Sequence, residues 1–570
     1  MFPLERTQKM NMKLRRTALA VVTASALILT GCASGSEGSS NSTSGEKLDV
    51  KLDGSYNPKD RSELKEGGEL RLAIDEISQQ QNPFQADGTR YTSDVWKYYN
   101  PQIGLFDGAG EFHVNNDYIT DVKDEEKDGK TVVTFTIHEK AQYNDGTPID
   151  WKAFENTWKF NNGEDEEANV SSTDGYELIE SVESGENDKQ AVITFKQTYP
   201  WWQGLFNILL PPQVDSAEKF NTAYLGKVHP EWGAGPYKIE NVDFQSGTAT
   251  FVPNEKWWGD EPFLDKVTYR QMESQASINA FKAGEIDATG VGNKERLAAV
   301  KDMEGIEIRT AMAPSKSLYT LNSKNEILSD IKVREAIMAG IDRSTLSEIR
   351  FNGLNGYTED LPGSFNLYQT QEGYEDNVGA VITFDPEKAK SLLDEAGWKE
   401  GGDGIREKDG KKLSVRYSLL GDSPTSKAQA TATQKMMKDI GVDLKVEERP
   451  VADFSEITSS YDFDILPMGF SSGDPFGVAY FGQVYRTGSQ LNRSGTGTPE
   501  MDKKIDELSQ IADPKEQIKE SNKLEKEALA QYGIIPIFNG PAMVATNPDI
   551  ANFGANSFAV IEVENIGYTK

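Results

Sequence analysis

The chain of 570 residues carries 91 acidic and 60 basic side chains, a formal net charge of −31 with its three histidines neutral. Phosphate backbones are bound by clustered Lys and Arg that release counterions, so this balance argues against a nucleic acid partner. A single cysteine excludes an intramolecular disulfide, a multi-thiolate zinc site and a multi-cysteine iron–sulfur site.

That cysteine closes a segment that reads basic, apolar, then small: Lys13, Arg15 and Arg16, an apolar run over residues 18–29, then Thr30, Gly31 and Cys32. The run is shorter than the roughly 18 to 20 residues that span a bilayer, and its basic start and small end match an export signal. Met12 already opens a complete signal of this kind. Leu29-Thr30-Gly31-Cys32 also resembles a bacterial lipobox, which implies that residues 1–31 are removed and that Cys32 becomes a lipidated N-terminus. The plainer alternative is an ordinary signal with an incidental cysteine. Residues 33–44 are almost all Ser, Gly, Thr and Asn, a tether composition, and residues 32–66 are expected to be flexible, with the globular body starting near Gly67.

Along the body, apolar alternation predicts strands at residues 69–74, 131–137 and 191–195. Asn144-Asp145-Gly146-Thr147-Pro148 is turn chemistry ahead of a helix, and Gly235-Pro236 reads as a strand-entry turn. Residues 318–322 and 534–538 read as apolar strands. Val333, Ile337 and Ile341 fall at helical spacing and are expected to pack a core. A helix is predicted over 385–395, with Asp385 as N-cap, Pro386 in the first turn and Gly397 as the stop. Residues 401–410 read as a loop and hairpin turn, and helical periodicity runs over 501–532. Strands and helices mix throughout, so the class is α/β or α+β.

Several segments in this order carry a family resemblance: Gly67-Gly68-Glu69-Leu70-Arg71-Leu72 with Asn82-Pro83, residues 141–148 followed by 151–158, Gly235-Pro236-Tyr237 with 254–258, residues 281–287, residues 333–343 and Glu395-Ala396-Gly397-Trp398. Together they make the chain similar to the family 5 solute-binding proteins of ABC transporters, the dipeptide- and oligopeptide-binding lipoproteins, from about residue 67 to the end. The resemblance implies an α/β, two-lobed clamp of mixed sheets with flanking helices, the first lobe large and carrying an extra subdomain. Lobe I would comprise residues 66–314 plus 538–570 and lobe II residues 315–537, with crossings near 317–323 and 534–539.

Peptide binders of this family grip the ligand ammonium with an aspartate in a lobe II loop. The matching loop here is Gly469-Phe470-Ser471-Ser472-Gly473-Asp474-Pro475, which makes Asp474 the expected ammonium partner and Phe470, Ser471, Ser472 and Gly473 an extended edge for main-chain hydrogen bonds. The alternative for Asp474 is a surface Asp-Pro turn. Asn82 and Phe84 are expected to line the pocket from the first lobe, Tyr319 and Asn322 from a crossing strand. Tyr199, Trp201 and Trp202 could stack on a ligand, or form a core cluster. Arg486 and Arg493 are candidates for the ligand carboxylate by proximity alone.

Gly469-Phe470-Ser471-Ser472-Gly473 also fits the G-x-S-x-G nucleophile pattern, but His113, His138 and His229 all precede Ser471, whereas the hydrolase order needs a histidine after the serine. The P-loop pattern fails at Gly129-Lys130-Thr131, because Asp124 stands where glycine is required. The expectation is therefore a non-enzymatic, monomeric receptor with no cofactor and no metal, lipid-anchored on the outer face of the cell membrane through Cys32. It would deliver peptides to an ABC permease and, through it, its ATPase subunits. The rivals are an oligosaccharide receptor of the same family and a secreted hydrolase.

Overall fold

The computed structural model describes residues 48–570; Cys32 and the export signal lie outside the described residues. The predicted strand over 69–74 is present as Glu69–Ile74, with Leu70, Leu72 and Ile74 buried and the alternate residues outward. It is the central parallel strand of a seven-stranded sheet, flanked by Lys266–Gln271 on one side and Ala288–Gly290 on the other. Glu307–Met312 forms one edge of this sheet through its pairing with Pro541–Thr546.

A second sheet of five strands contains Ser315–Leu321 between Ile465–Ser471 and Ile534–Phe538. The chain thus passes from one sheet to the other across Ala313-Pro314 and returns across Asn539-Gly540. The strands expected at the crossings belong wholly to the five-stranded sheet, because ladder pairing holds residues 315–321 on one side and 317–320 on the other. Phe538 pairs with Ser317 and so falls within that sheet, one residue beyond the expected boundary.

A four-stranded antiparallel sheet, formed by Ile119–Lys127, Lys130–Ile137, Ile179–Ser184 and Gln190–Phe195, makes a third body. The helix Trp151–Asn161 packs on it. Gly146 takes φ +91° in the turn ahead of that helix. At Gly235 a Cβ would lie 2.7 Å from the Tyr98 carbonyl, so the strand-entry turn needs glycine for close approach.

The helix over 385–395 is capped as predicted, with the Asp385 carboxylate accepting from the Lys388 amide at 2.9 Å. The periodicity over 501–532 is two helices, Pro499–Ser509 and Pro514–Leu529. Asp513 caps the second one, and Pro514, which has no amide to donate, cannot continue the first. The expected tether also ends earlier than residue 66. Leu64–Lys65 pairs with Gly567–Thr569, and Arg61 donates to Asn565 Oδ1 at 2.5 Å and lies over the Phe263 ring. Among the described residues no helix is long and apolar enough to cross a membrane.

Candidate functional site

The site grows out of the five-stranded sheet. Ile465–Ser471 runs antiparallel to Ser315–Leu321 from Ile465↔Leu321 to Ser471↔Ser315, and the Ser472 amide extends the ladder to the Pro314 carbonyl at 2.7 Å. On its other side the strand meets Ser414–Leu420 only at Ile465↔Tyr417. Antiparallel alternation then turns the amide and carbonyl of Gly469 and Ser471 toward an edge with no partner strand. Phe470 and Ser472 face the ladder, so within the expected edge Ser471 has main-chain groups to offer, and Gly473, past the strand end, lines both of the cavities described next. The Phe470 ring packs edge-on against Phe365 at 5.3 Å.

Beyond the strand end, Asp474 is 8% exposed, which is not a surface turn. Its carboxylate accepts from the Phe476 amide at 2.8 Å and from the Tyr480 hydroxyl at 2.7 Å. Burial pushes the acid up to about 6, against those two donors. The residue stands in the wall between two cavities. One, of about 710 Å³, runs along the seven-stranded sheet and the helix Arg90–Tyr99. The other, of about 190 Å³, lies between the open strand edge and the loop around Asn366. Glu562 and Glu564 also line the larger cavity and approach Asp117, with carboxylate oxygens within 4.8 Å of one another. Burial pushes the Glu564 carboxyl up to about 8, with the neighbouring Glu562 and Asp117 carboxylates adding to the rise.

The segment after Asp474 also closes the seam between the bodies. Phe476 sits against Phe106 and Trp201 at 5.9 and 5.7 Å. Tyr480 reaches the Gly204 carbonyl at 3.2 Å, and Arg493 donates to the Ala86 carbonyl at 3.0 Å. The Trp201 indole donates to Gln517 Oε1.

The other expected contacts fall elsewhere. Asn82 is buried and spends its amide on the Phe220 carbonyl and the Phe84 amide, while Phe84 packs with Trp96 and Phe220. Tyr319 bonds Thr433 and Tyr417 in the core beside the five-stranded sheet, and Asn322 donates to the carbonyls of Tyr461 and Phe463. None of these four lines either cavity. Tyr199 stacks on Phe195, and Trp202 packs edge-on to Phe112 and Phe135, so both are core. Arg486 is held by Asp506 and Glu177. Sequence reasoning missed Tyr480, Tyr368, Asn366 and Lys316, which line the smaller cavity with Asp474; the visible signal was a lysine in phase with Leu318 on an apolar strand.

The model of bacterial extracellular solute-binding proteins, family 5 Middle, matches residues 114–492. Over 554 residues the chain is 32% identical to the oligopeptide-binding protein OppA of Mycobacterium tuberculosis, covering 96% of this chain and 92% of that protein. Among solved structures, the periplasmic EDTA-binding protein EppA superposes with a TM-score of 0.76 at 25% identity, covering 92% of this chain and 99% of that one. The oligopeptide-binding protein AppA of Bacillus subtilis, in complex with a nonapeptide, superposes with a TM-score of 0.74 at 21% identity over 89% of this chain and 100% of that one.

Proposed function

Because this chain belongs to the family 5 bacterial extracellular solute-binding proteins, we propose that it is an extracytoplasmic receptor that captures peptides between its two lobes and hands them to an ABC importer. The observation that carries the reading is Asp474: a buried carboxylate at the end of an open strand edge, in the wall between two cavities. A peptide ammonium at that carboxylate gains from the low dielectric, and the peptide main chain pairs with Gly469 and Ser471 as an added strand. The larger cavity falls in the range of small-ligand sites.

The receptor releases its ligand unaltered. His138 is engaged by the Lys140 amide and His229 is stacked on Trp232, which leaves Ser471 without a base from either. The sugar-receptor reading loses two of its three stacking candidates, since Tyr199 and Trp202 are core, while Trp201 leans on Phe476 beside a separate cavity. The same proposal places the receptor as a monomer on the membrane through lipid on Cys32, where it meets the permease.

Native mass spectrometry of whatever co-purifies is the test. Peptides that dissociate from the protein, and that Asp474→Ala no longer retains, are the expected result. Recovery of only sugars or metal chelates overturns the reading, as does turnover of added peptides.

A further inference from the structure

Lys316 shares a strand face with Leu318 and Thr320 and is 3% exposed. A lysine this deep ordinarily has an anionic partner, because an unpaired buried charge is costly. Among the described residues no carboxylate lies within 4.0 Å of its ammonium. The ammonium rests 3.5 Å from the centroid of the Tyr368 ring, whose hydroxyl is taken by Ser472. Glu525, the carboxylate that acts on Lys316 from farther off, is saturated by Ser364, Phe365 and Asn377. Burial brings Lys316 down to about 7.

Asn366 lines the same cavity. It is 5% exposed, and neither atom of its side-chain amide has a partner, although its backbone amide is fixed by Glu525 and the Ser364 hydroxyl. Asp474 forms the cavity's third polar wall. At about 190 Å³ the space equals about six water molecules of liquid, enough for one amino-acid side chain. Two idle donors and one carboxylate therefore converge on a space of side-chain size.

We propose that this cavity is a carboxylate-accepting subsite, in which Lys316 and Asn366 donate to a ligand carboxylate lying beside the ammonium held by Asp474. The inference rests on the peptide-receptor reading and adds a preference to it. An acidic side chain on the first residue of a peptide carries both poles at the short separation the cavity offers. The C-terminal carboxylate of a very short peptide is the other source of the same group.

Calorimetric titration of ligand-stripped protein tests this with three probes: Glu-Ala-Ala-Ala amide, Ala-Ala-Ala-Ala amide and free Ala-Ala. The wild type is expected to bind the Glu-first amide at least tenfold more tightly than the Ala-first amide, and Lys316→Met to remove that ratio while Lys316→Arg restores part of it. Should Lys316→Met fail to fold, Asn366→Ala is expected to narrow the same ratio. A Lys316 effect confined to free Ala-Ala keeps the carboxylate and assigns it to the C-terminus. Equal binding of both amides by the wild type, with Ala-Ala indifferent to the substitutions, overturns the subsite. If none of the three peptides binds, the peptide-receptor reading falls and the subsite falls with it.

Discussion

Tyr480 donates its hydroxyl to the buried Asp474 carboxylate at 2.7 Å while lying 3.2 Å from the Gly204 carbonyl of the facing body. One phenolic proton cannot serve both acceptors, and the charged one takes it. The bond lowers the proton affinity of Asp474 against the desolvation that raises it. Tyr480→Phe removes the donor, so Asp474 is expected to titrate higher and to keep its proton at a pH where the wild type has lost it. Peptide affinity at pH 7 should fall at least about tenfold, in line with the roughly 1.5 to 3 kcal/mol of a hydrogen bond to a charged group. Titration of peptide binding between pH 5 and 8 checks both; an unchanged profile contradicts the assignment.

The same carboxylate links stability to function. Its native pKa of about 6 lies above the ordinary 3.8, so between those values the native state holds more protons than the unfolded chain. Stability from this group is therefore full below about pH 4 and declines as pH rises through 6. Asp474→Asn stays neutral, and its amide can donate to the Tyr480 oxygen, freeing that hydroxyl for Gly204. The variant is expected to raise the melting temperature of the ligand-free protein at pH 7.5, to leave it little changed at pH 4, and to lose peptide binding. Thermal unfolding at both pH values decides the point: equal curves at pH 7.5 would mean that the carboxylate is solvated.

Local signals carried most of the fold. Alternation at Glu69–Ile74 and the Asp385 cap depend on neighbours in sequence, and both are where the pattern puts them. The break at Asp513-Pro514 was also visible, since an Asp-Pro pair restarts a helix; the longer periodicity masked it. The docking of residues 61–65 was not, because Arg61 finds Asn565 across 504 positions of chain. At the candidate site, motif order singled out Asp474, which the structure buries beside two cavities, but buried asparagines that tie loops together, such as Asn82 and Asn322, look the same in sequence as ones with unpaired amides. Lys316 escaped notice because one lysine in an apolar strand usually snorkels at an edge; only tertiary contacts show that it is enclosed.

Glu525 holds the wall of the smaller cavity. It is 1% exposed and accepts from Ser364 Oγ, the Phe365 amide and Asn377 Nδ2 at 2.7, 2.7 and 2.6 Å. Both of its oxygens face donors, so a glutamine in either orientation sets its own N–H groups against others. Glu525→Gln is expected to cost about 2 to 4 kcal/mol through the donors left unpaired and to weaken peptide binding through the displaced Asn366 loop. Denaturant unfolding measures the first effect; a loss under about 1 kcal/mol would contradict this account.

The anchor is tested at Cys32. Alkylation of its thiol requires the sulfur, so Cys32→Ser is expected to block incorporation of labelled lipid and to release the protein into the medium or leave it unprocessed. Labelled lipid on the variant would place the attachment elsewhere.

The seam between the bodies sets how readily the clamp opens. The Trp201 indole donates to Gln517, whose own amide donates to the Leu508 carbonyl at 3.0 Å, and the Trp201 ring lies on Phe476 two residues from Asp474. Trp201→Phe keeps an aromatic face on Phe476 and removes only the donor, leaving the oxygen of Gln517, itself 2% exposed, without a partner. The open form, in which water reaches that oxygen, gains relative to the closed one by about 1 to 2 kcal/mol. A ligand that binds the closed form then binds more weakly by the fall in the closed fraction, at most about five- to thirtyfold. Small-angle scattering of the ligand-free variant should give a larger radius of gyration than the wild type, with peptide restoring a common closed value. A weaker affinity with no change in radius would locate the effect in direct ligand contact instead of closure.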